Sequence, residues 1–483
     1  MNWIDKVVGV VNPKAAFERQ RYRMATQVLD EYEQSRAYEA AARGRRTENW
    51  KATGASANAE LYYALETLRN RSRQLVRDNP YAKRIVRVLP NNIVGTGIRP
   101  TPRAEASRTN KRVKQLWKDW AEKTACDHDG LNNIYGLQKL AMRAILESGE
   151  CLVLRRRTRD PRVPIRLQVI EPDHIDTNKN AESMAGGGYI MQGIEFDADG
   201  RRVAIWLFSR HPGEQFRFPT DITSKRIPIE DVLHLFMVER PGQVRGVPVM
   251  VSSMLRMKDF DEYEDAQLIR QKIAACFSVF VTDAADSVFK GDKTAVEMAS
   301  RLEPGTIEYT PPGKDVKFAT PPPAEGYADY TRKVQQGIAA GSGITYEAMT
   351  GDLSNVNFSS GRMGWIEMQR EIEDWQWNTF VPQFCDRVWE WFNQAATMAG
   401  AISGPVPVEW TTPRRLMIDP VKETNAKVTQ INAGLTTRTE ALAEDGYDFD
   451  EVMEKLAQEQ KKIKELGLIL EQPKQATEVN LNQ

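Results

Sequence analysis

One short stretch of this chain combines the residue types that acid–base or metal chemistry requires. Residues 171–176 read Glu-Pro-Asp-His-Ile-Asp after an apolar strand pattern, so Asp173, His174 and Asp176 form a carboxylate–histidine cluster at a strand exit. Three further histidines occur without ligand spacing: His128, His211 and His234. No Asp/Glu-x-Lys follows within fifty residues to complete a nuclease motif. The pattern favours a turn and cap, with a metal-dependent DNA-processing enzyme kept as the alternative.

Two glycine pairs invite a phosphate-loop interpretation. Gly95-x-Gly97 lacks a third glycine, and Arg99-Pro100 prevents an immediate helix; Gly341-Ser-Gly343 follows a helical pattern rather than a strand. The chain also lacks the P-loop, Gly-x-Ser-x-Gly and His-Glu-x-x-His motifs. We therefore expect no catalysis and no cofactor, and any energy for moving a polymer must come from a partner.

The periodicity predicts an α+β fold rather than a regular βαβ array. The first half should hold helices at 59–88 (interrupted by Pro80), 109–123 and 131–148, and strands at 151–156, 165–170, 189–196, 203–209 and 232–237. Residues 91–100 should form a turn, a short strand and a turn.

The second half is mostly helical in pattern. Pro248 should begin a helix that runs to Ala275, with a strongly acidic middle, and a further helix should follow at 324–340. The longest pattern runs from Ser359 to Ala399, with an expected kink at Pro382. Its aromatic stripe is predicted to be core: Trp377, Phe380, Val381, Phe384, Val388, Trp391 and Phe392. Asp419-Pro420 and Thr437-x-x-Glu440 should begin helices near the end.

Composition and charge bound the class of protein. The 483 residues are 41% hydrophobic and 27% charged, as in ordinary folded proteins, and no apolar run could span a membrane. The N-terminus lacks a signal-peptide pattern, so we expect synthesis in a cytoplasm. The four cysteines should be free thiols. Residues 1–120 carry 24 basic and 12 acidic side chains, against 42 and 54 in the remainder. This basic part suits either nucleic acid or an acidic neighbouring subunit.

A polar loop lies between two helical patterns at residues 350–364, which read Thr-Gly-Asp-Leu-Ser-Asn-Val-Asn-Phe-Ser-Ser-Gly-Arg-Met-Gly. Gly and Asn tolerate positive φ, and Ser and Asn side chains satisfy nearby backbone groups, so such a loop can move while tethered at both ends. It resembles the tunnel loop of lambda-type portal proteins of tailed bacteriophages. Further stretches resemble that family in the same order: 93–98, 169–173, 239–248, 303–308, 312–318, 419–423, 433–435 and 446–448.

The resemblance implies a portal-protein fold with a wing, a two-helix stem, a small α/β clip, a tunnel loop with a long helix, and a helical crown. The implied boundaries are an N-terminal arm at 1–55, the wing at 56–247, a stem helix at 248–275, the clip at 276–322, a second stem helix and connector at 323–349, the tunnel loop at 350–360, a long wing helix and strand at 361–418, the crown at 419–470 and a disordered tail at 471–483.

The resemblance also implies a function. A homo-oligomeric ring of about twelve subunits would sit at one capsid vertex, as the channel through which double-stranded DNA is packaged and ejected, independently of its sequence. Its other partners would be the terminase large subunit, the major capsid protein and scaffold, and a head-completion or adaptor protein, with no membrane. The ring would assemble in the host cytoplasm and remain in the virion. Another ring-forming head–tail connector is a second alternative.

Candidate residues follow from these assignments. The tunnel loop would present Leu353, Asn355, Val356, Asn357 and Phe358 to DNA. The acidic stem would line the channel with Asp259, Asp261, Glu262 and Asp265, which repel phosphate so that DNA slides. The clip would face the terminase with Glu308, Lys314, Asp315 and Lys317.

Overall fold

The computed structural model describes residues 48–184, 186–214, 223–275, 326–413 and 419–468, with a few short stretches elsewhere. The chain divides into two units, Met1–Ser56 and Ala57–Gln483. The predicted arm and C-terminal tail lie largely outside the described residues. Within these, the fold mixes helices and sheets, as predicted, and no helix is long and apolar enough to cross a membrane.

Five helices open the second unit: α1 Ala57–Tyr62, α2 Leu65–Asp78, α3 Pro80–Ile93, α4 Ser107–Ala121 and α5 Ile134–Ser148. Asn79 separates α2 from α3, because its side chain caps the new helix and Pro80 takes the first helical position. The turn predicted at Asn91 and Asn92 is wrong. Both residues belong to α3, whose apolar face stays buried as far as Ile93.

Three small antiparallel sheets hold most of the strands. The strands of the larger two are β2 Glu150–Arg157, β3 Ile165–Ile170, β4 Tyr189–Met191, β5 Ile194–Phe196, β6 Arg202–Phe208, β7 Ser224–Pro228 and β8 Val232–Phe236. Their orders are β3-β2-β8 and β4-β5-β6-β7. In the third, β1 Arg99–Pro102 pairs with β11 Val408–Thr411.

The single strand predicted at 189–196 is instead the hairpin of β4 and β5. Gln192 and Gly193, at its tip, have φ values of 50° and 80°. Two consecutive positive φ values are typical of the tight turns whose twist matches paired strands. Gln192-Gly193 is not one of the Asn-Gly or Asp-Gly pairs that usually mark such a turn, which explains why the sequence pattern hides it.

A buried carboxylate joins distant parts of this region. Glu150 begins β2 with no solvent exposure and accepts hydrogen bonds from Arg69 of α2 and from the fully buried Arg245. His234 of β8 donates to its other side over 2.7 Å. Burial alone would raise the pKa of Glu150, but Arg245 and His234 outweigh it and hold that pKa well below its usual range.

Two helices pack as a pair beyond the sheets, α6 Met254–Ala275 and α7 Tyr327–Gly341. The predicted start of the first at Pro248 is wrong. The backbone N–H of Val249 instead donates to the Leu146 carbonyl near the end of α5, which holds residues 249–253 in turns. A side chain at Gly341 would collide with Ser253, so glycine permits the close approach of the pair.

The long helix predicted at 359–399 begins as α9 Phe358–Asp374, passes through a π-helical segment at Trp375–Cys385 and continues as α10 Asp386–Met398. Pro382 lies in the π-helical segment. Because proline has no backbone N–H, it cannot make the usual helical hydrogen bond at this position. The aromatic stripe is buried as predicted except for Trp377, which is 47% exposed. Phe392 packs with Trp117 and Trp120 of α4.

Three helices end the described chain: α11 Pro420–Asn432, α12 Arg438–Glu444 and α13 Phe449–Glu465. Asp419 caps α11, and Thr437 and Glu440 form a capping box, as predicted. Cys126, Cys151 and Cys385 are buried free thiols, whereas Cys276 lies outside the described residues. The predicted clip is described only at β9 Phe280–Val281 and β10 Glu308–Tyr309, which pair in parallel.

Candidate functional site

Residues 351–357 connect the short helix α8, Tyr346–Thr350, to α9. Gly351 ends α8 with a φ of 78°. Asp352 accepts hydrogen bonds from the side chain of Tyr346 and from the hydroxyl and backbone N–H of Ser354. These bonds, with Ser354 as the largest contributor, lower the pKa of Asp352. The loop is therefore short and fixed by local hydrogen bonds at its first turn.

The predicted DNA-facing residues of this loop differ in their surroundings. Leu353 is 66% exposed, and Asn355 is also exposed. Val356 is half-buried. Asn357 caps α9, because its side-chain oxygen accepts from the backbone N–H of Ser360 over 2.8 Å. Phe358 is the first residue of α9, and its side chain lies outside the described part. Leu353 and Asn355 are thus the two that project freely.

The helix α6 has two different faces. Met257 and Phe260 are buried against the rest of the unit, and Tyr263 contacts Tyr327 and Tyr330 of α7. Three carboxylates project from the exposed face: Asp259, Glu262 and Asp265. Only Glu262 pairs with a cation among the described residues, Lys258 one turn earlier at 3.4 Å. Asp259 and Asp265 therefore form no ion pair within the described part of the chain, although Arg256 and Lys258 are exposed on the same helix.

Asp261, the fourth predicted acidic residue, lies on a different side of α6. It is half-buried and accepts a hydrogen bond of 2.7 Å from the side-chain amide of Asn79. Glu264 lies nearby, and burial, followed by the charges of Asp261 and Asp265, raises its pKa. Asp261 thus serves contacts within the subunit, and the candidate channel surface reduces to Asp259, Glu262 and Asp265.

The candidate terminase-facing residues are mostly outside the described chain. Lys314, Asp315 and Lys317 fall there, and Glu308 is described only as a backbone position of β10, paired with Phe280. Their assignment stays a prediction.

The three residues considered for catalysis point to different partners. Asp173 accepts from Arg73 over 2.6 Å, with Arg69 at 3.3 Å. The ring Nδ1 of His174 lies 3.0 Å from the Phe208 carbonyl. Asp176 accepts from the Ser224 hydroxyl over 2.6 Å. The cluster therefore does not converge on one point, and each side chain satisfies a structural neighbour, as the turn interpretation predicted.

Glu171, Asp173 and His211 do converge within 4.8 Å, which is close enough for a shared cation. Two arginines already neutralise the Asp173 carboxylate. Burial would raise the pKa of Asp173, but the hydrogen bond from Arg73 and the charge of Arg69 outweigh it and lower that pKa. A divalent cation would meet these positive charges, which disfavours a metal site. In the sequence, Arg69 and Arg73 are one helical turn apart, which suggests a shared acidic partner. That partner, Asp173, lies about a hundred residues away, so the sequence alone does not reveal the contact.

Sequence similarity identifies the family of this chain. Residues 43–376 match the family described as phage portal protein, lambda family. This is more than half of the chain, and the chain therefore belongs to the lambda family of phage portal proteins.

Relatives extend the similarity over nearly the whole chain. The "Probable portal protein" of Halomonas phage phiHAP-1 is 26% identical over 459 residues, covering 90% of this chain and 88% of that protein. "Portal protein B" of Escherichia phage lambda is 22% identical, covering 88% and 89%. A chain from the neck of a native gene transfer agent particle aligns with a TM-score of 0.40 and 15% identity, covering 76% of this chain and 91% of that one.

Proposed function

We propose that this chain is the subunit of a closed ring at one capsid vertex, whose channel conducts double-stranded DNA during packaging and ejection. Family membership supports the ring, and the observation that carries the channel is the exposed face of α6. Asp259, Glu262 and Asp265 place three carboxylates there, and among the described residues only Glu262 forms an ion pair, with Lys258. A surface of this charge repels phosphate, so DNA can pass without the salt-dependent adhesion that basic side chains produce.

In this proposal the predicted regions keep their roles with adjusted limits. The wing is 56–247, the stem is α6 and α7, the clip is 276–322, the tunnel loop is 351–357 with α9 behind it, and the crown is 419–468. Leu353 and Asn355 are the loop residues that reach the DNA. The terminase large subunit would dock at the clip. Capsid protein, scaffold and a head-completion protein would contact the outer surface, and the ring would remain in the virion.

The ring itself can be tested on purified protein. Native mass spectrometry and electron-microscopy class averages should give a closed assembly of about a dozen subunits with an open centre, because heterologous contacts whose rotation closes generate rings. An open filament, or a compact oligomer without a channel at every concentration and with scaffold present, would contradict the proposal.

An enzymatic role receives no support from the candidate cluster, since Asp173 is neutralised by two arginines and His174 and Asp176 point elsewhere. We propose a conduit that does not itself catalyse a reaction.

A further inference from the structure

The last three helices have almost no apolar attachment. No side chain of α11 or α13 is buried, and α12 buries only Ala441. Helices of this length are marginal by themselves in water and normally depend on a packed apolar face. We therefore expect charged contacts to contribute much of what holds residues 419–468 to the rest of the subunit, beside a few half-buried apolar side chains.

These contacts join one face of α4 to the first two turns of α13. On α4, Lys111, Lys114 and Lys118 lie three and four residues apart, so they share a helix face. Three carboxylates of the α13 region meet them: Asp448, Glu451 and Glu454. Lys114 lies 3.0 Å from Glu451 and 3.6 Å from Asp448. Lys118 lies 3.3 Å from Glu451, and Lys111 lies 2.9 Å from Glu454.

Two contacts from the β1 region complete the set. Thr101 donates a hydrogen bond of 3.0 Å to Asp448, and Arg103 lies 4.0 Å from Asp450. Open space lies beside this contact and also between β11 and the helices α11 and α12. A cleft of about 480 Å³ lies between the α4 side and Asp448, and a second cavity of about 850 Å³ lies between Trp377 with β11 and the helices α11 and α12. The contact is therefore mainly ionic, with only half-buried apolar side chains such as Phe449 and Val452 beside it.

We propose that residues 419–468 form a detachable helical element, which an ionic latch between α4 and the start of α13 holds in place and which high ionic strength releases while the rest of the unit stays folded. The latch consists of Lys111, Lys114, Lys118, Asp448, Glu451 and Glu454. Exposed ion pairs are screened by salt, whereas the buried apolar core of the wing is not. Docking of residues 419–468 should therefore weaken as salt is raised, whereas the stability of the wing core should change little.

Lowering the pH should weaken the docking of residues 419–468, as raising the salt concentration should. Burial opposes ionisation of Asp448 and Glu451, but hydrogen bonds and the charge of Lys114 outweigh it, so the pKa of each carboxyl is lowered. A lowered pKa stabilises docking above the ordinary carboxyl pKa of about 4 and loses that stabilisation as pH falls through the docked value. Other ionisable groups line the same cleft: Arg99, Glu122, Tyr135, Asp445 and Lys455. None of these adds a carboxylate–lysine contact to the latch.

Hydrogen–deuterium exchange of the full chain tests the proposal. Raising sodium chloride from 0.05 to 1 M should speed exchange in 449–465 by about tenfold or more, with little change in 80–93. The variant Lys114→Glu/Lys118→Glu should show fast exchange in 449–465 already at low salt. Adding Glu451→Lys to that variant should restore protection, because it re-forms the opposite-charge contact. Lys139→Glu, an exposed change outside the latch, is the matched control.

The ring is followed in parallel by native mass, so loss of assembly is distinguished from loss of docking. Salt-independent exchange in 449–465, or charge reversal without effect there, would overturn the proposal. It would also be overturned if α3 lost protection together with α13, because the helical element would then be part of one cooperative core.

Discussion

Asn79 donates a hydrogen bond of 2.7 Å from its side-chain amide to the carboxylate of Asp261, which joins the turn between α2 and α3 to α6. The side-chain oxygen of the same residue accepts from the backbone N–H of Ala82 and caps α3. One asparagine thus fixes the start of a wing helix and the position of the helix that we propose to line the channel. It also explains why Asp261 does not share the exposed face of its acidic neighbours.

Replacing Asn79 should separate these two roles. Asn79→Ala loses the cap and the contact with Asp261, and should lower the free energy of unfolding by about 1–2 kcal/mol in urea titrations. Asn79→Asp keeps a capping oxygen but places its carboxylate beside that of Asp261. If it is less stable than Asn79→Ala at neutral pH, this difference in unfolding free energy should shrink below about pH 4, where the carboxylates take up protons. Asn92→Ala, which removes only a local bond to Val88, should change stability by less than about 0.5 kcal/mol. Equal losses for Asn79→Ala and Asn92→Ala would refute the assignment.

The buried carboxylate Glu150 should be among the most sensitive positions in the wing. Glu150→Gln leaves the guanidinium group of Arg245 buried without its counter-charge and leaves Arg69 with Asp173 alone. Loss of one partner of a buried ion pair typically costs about 3–5 kcal/mol. Glu147→Gln, in the half-exposed pair with Arg143, should cost less than about 1 kcal/mol. Thermal unfolding of both variants makes the comparison. A small effect at Glu150 would mean that the arginines find other partners.

His234 gives the fold a predictable response to acid. Burial lowers the pKa of His234 to about 4, although Glu150 opposes this, so the folded protein holds the ring neutral. The unfolded chain binds a proton near pH 6.5, and a group whose pKa is lowered in the fold therefore costs stability as pH falls between about 6.5 and 4. The loss should be on the order of 3 kcal/mol across that window.

The variant His234→Gln retains an N–H donor for Glu150 but cannot take up a proton. Its unfolding free energy should therefore depend less on pH between 6.5 and 4 than that of the wild-type chain. Parallel slopes for the two proteins would show that other groups cause the acid sensitivity.

Stability and DNA transport should separate within the loop 351–357. Asn357→Ala removes the capping box of α9 and should destabilise the protein by about 1 kcal/mol. Leu353→Ala and Asn355→Ala alter exposed side chains, so their unfolding should change by less than about 0.5 kcal/mol. If the loop contacts DNA, only these two should alter the rate or yield of DNA packaging in vitro while leaving stability intact. Normal packaging by both variants would contradict the assignment of this loop to the channel surface.

The charge of α6 should affect packaging rather than folding. Asp259→Lys/Glu262→Lys/Asp265→Lys should slow DNA packaging in vitro, more so at low salt, because lysine side chains bind phosphate. The exposed triple variant Glu105→Lys/Asp129→Lys/Glu459→Lys carries the same change in charge outside the proposed channel and should package at the wild-type rate. Equal rates for the two variants would count against a channel-lining role.

Local signals in the sequence predicted much of this fold. The strand at 165–170 and the capping box of Thr437 and Glu440 occur as predicted, because alternation and capping depend on neighbouring residues. Long-range contacts explain the errors. The start of α6 is displaced because Val249 bonds to α5, and Trp377 is exposed because the π-helical segment alters the spacing on which a helical stripe depends.

Less of the candidate site could be predicted from the sequence. Nothing near Asp173 signals Arg73, and nothing near Glu150 signals Arg245, since these partners are separated by about a hundred residues and meet only in the folded chain. The sequence shows that α6 is rich in acidic residues. It does not show that Asp261 lies on the packed side of the helix, which follows from the contact of Asp261 with Asn79.

The most direct test is a reconstruction of the assembled ring at a resolution that separates helices and large side chains. We predict that the face of α6 carrying Asp259, Glu262 and Asp265 borders the central channel and that residues 351–357 reach toward its axis. A ring in which that face points outward, or is covered by the neighbouring subunit, would contradict it.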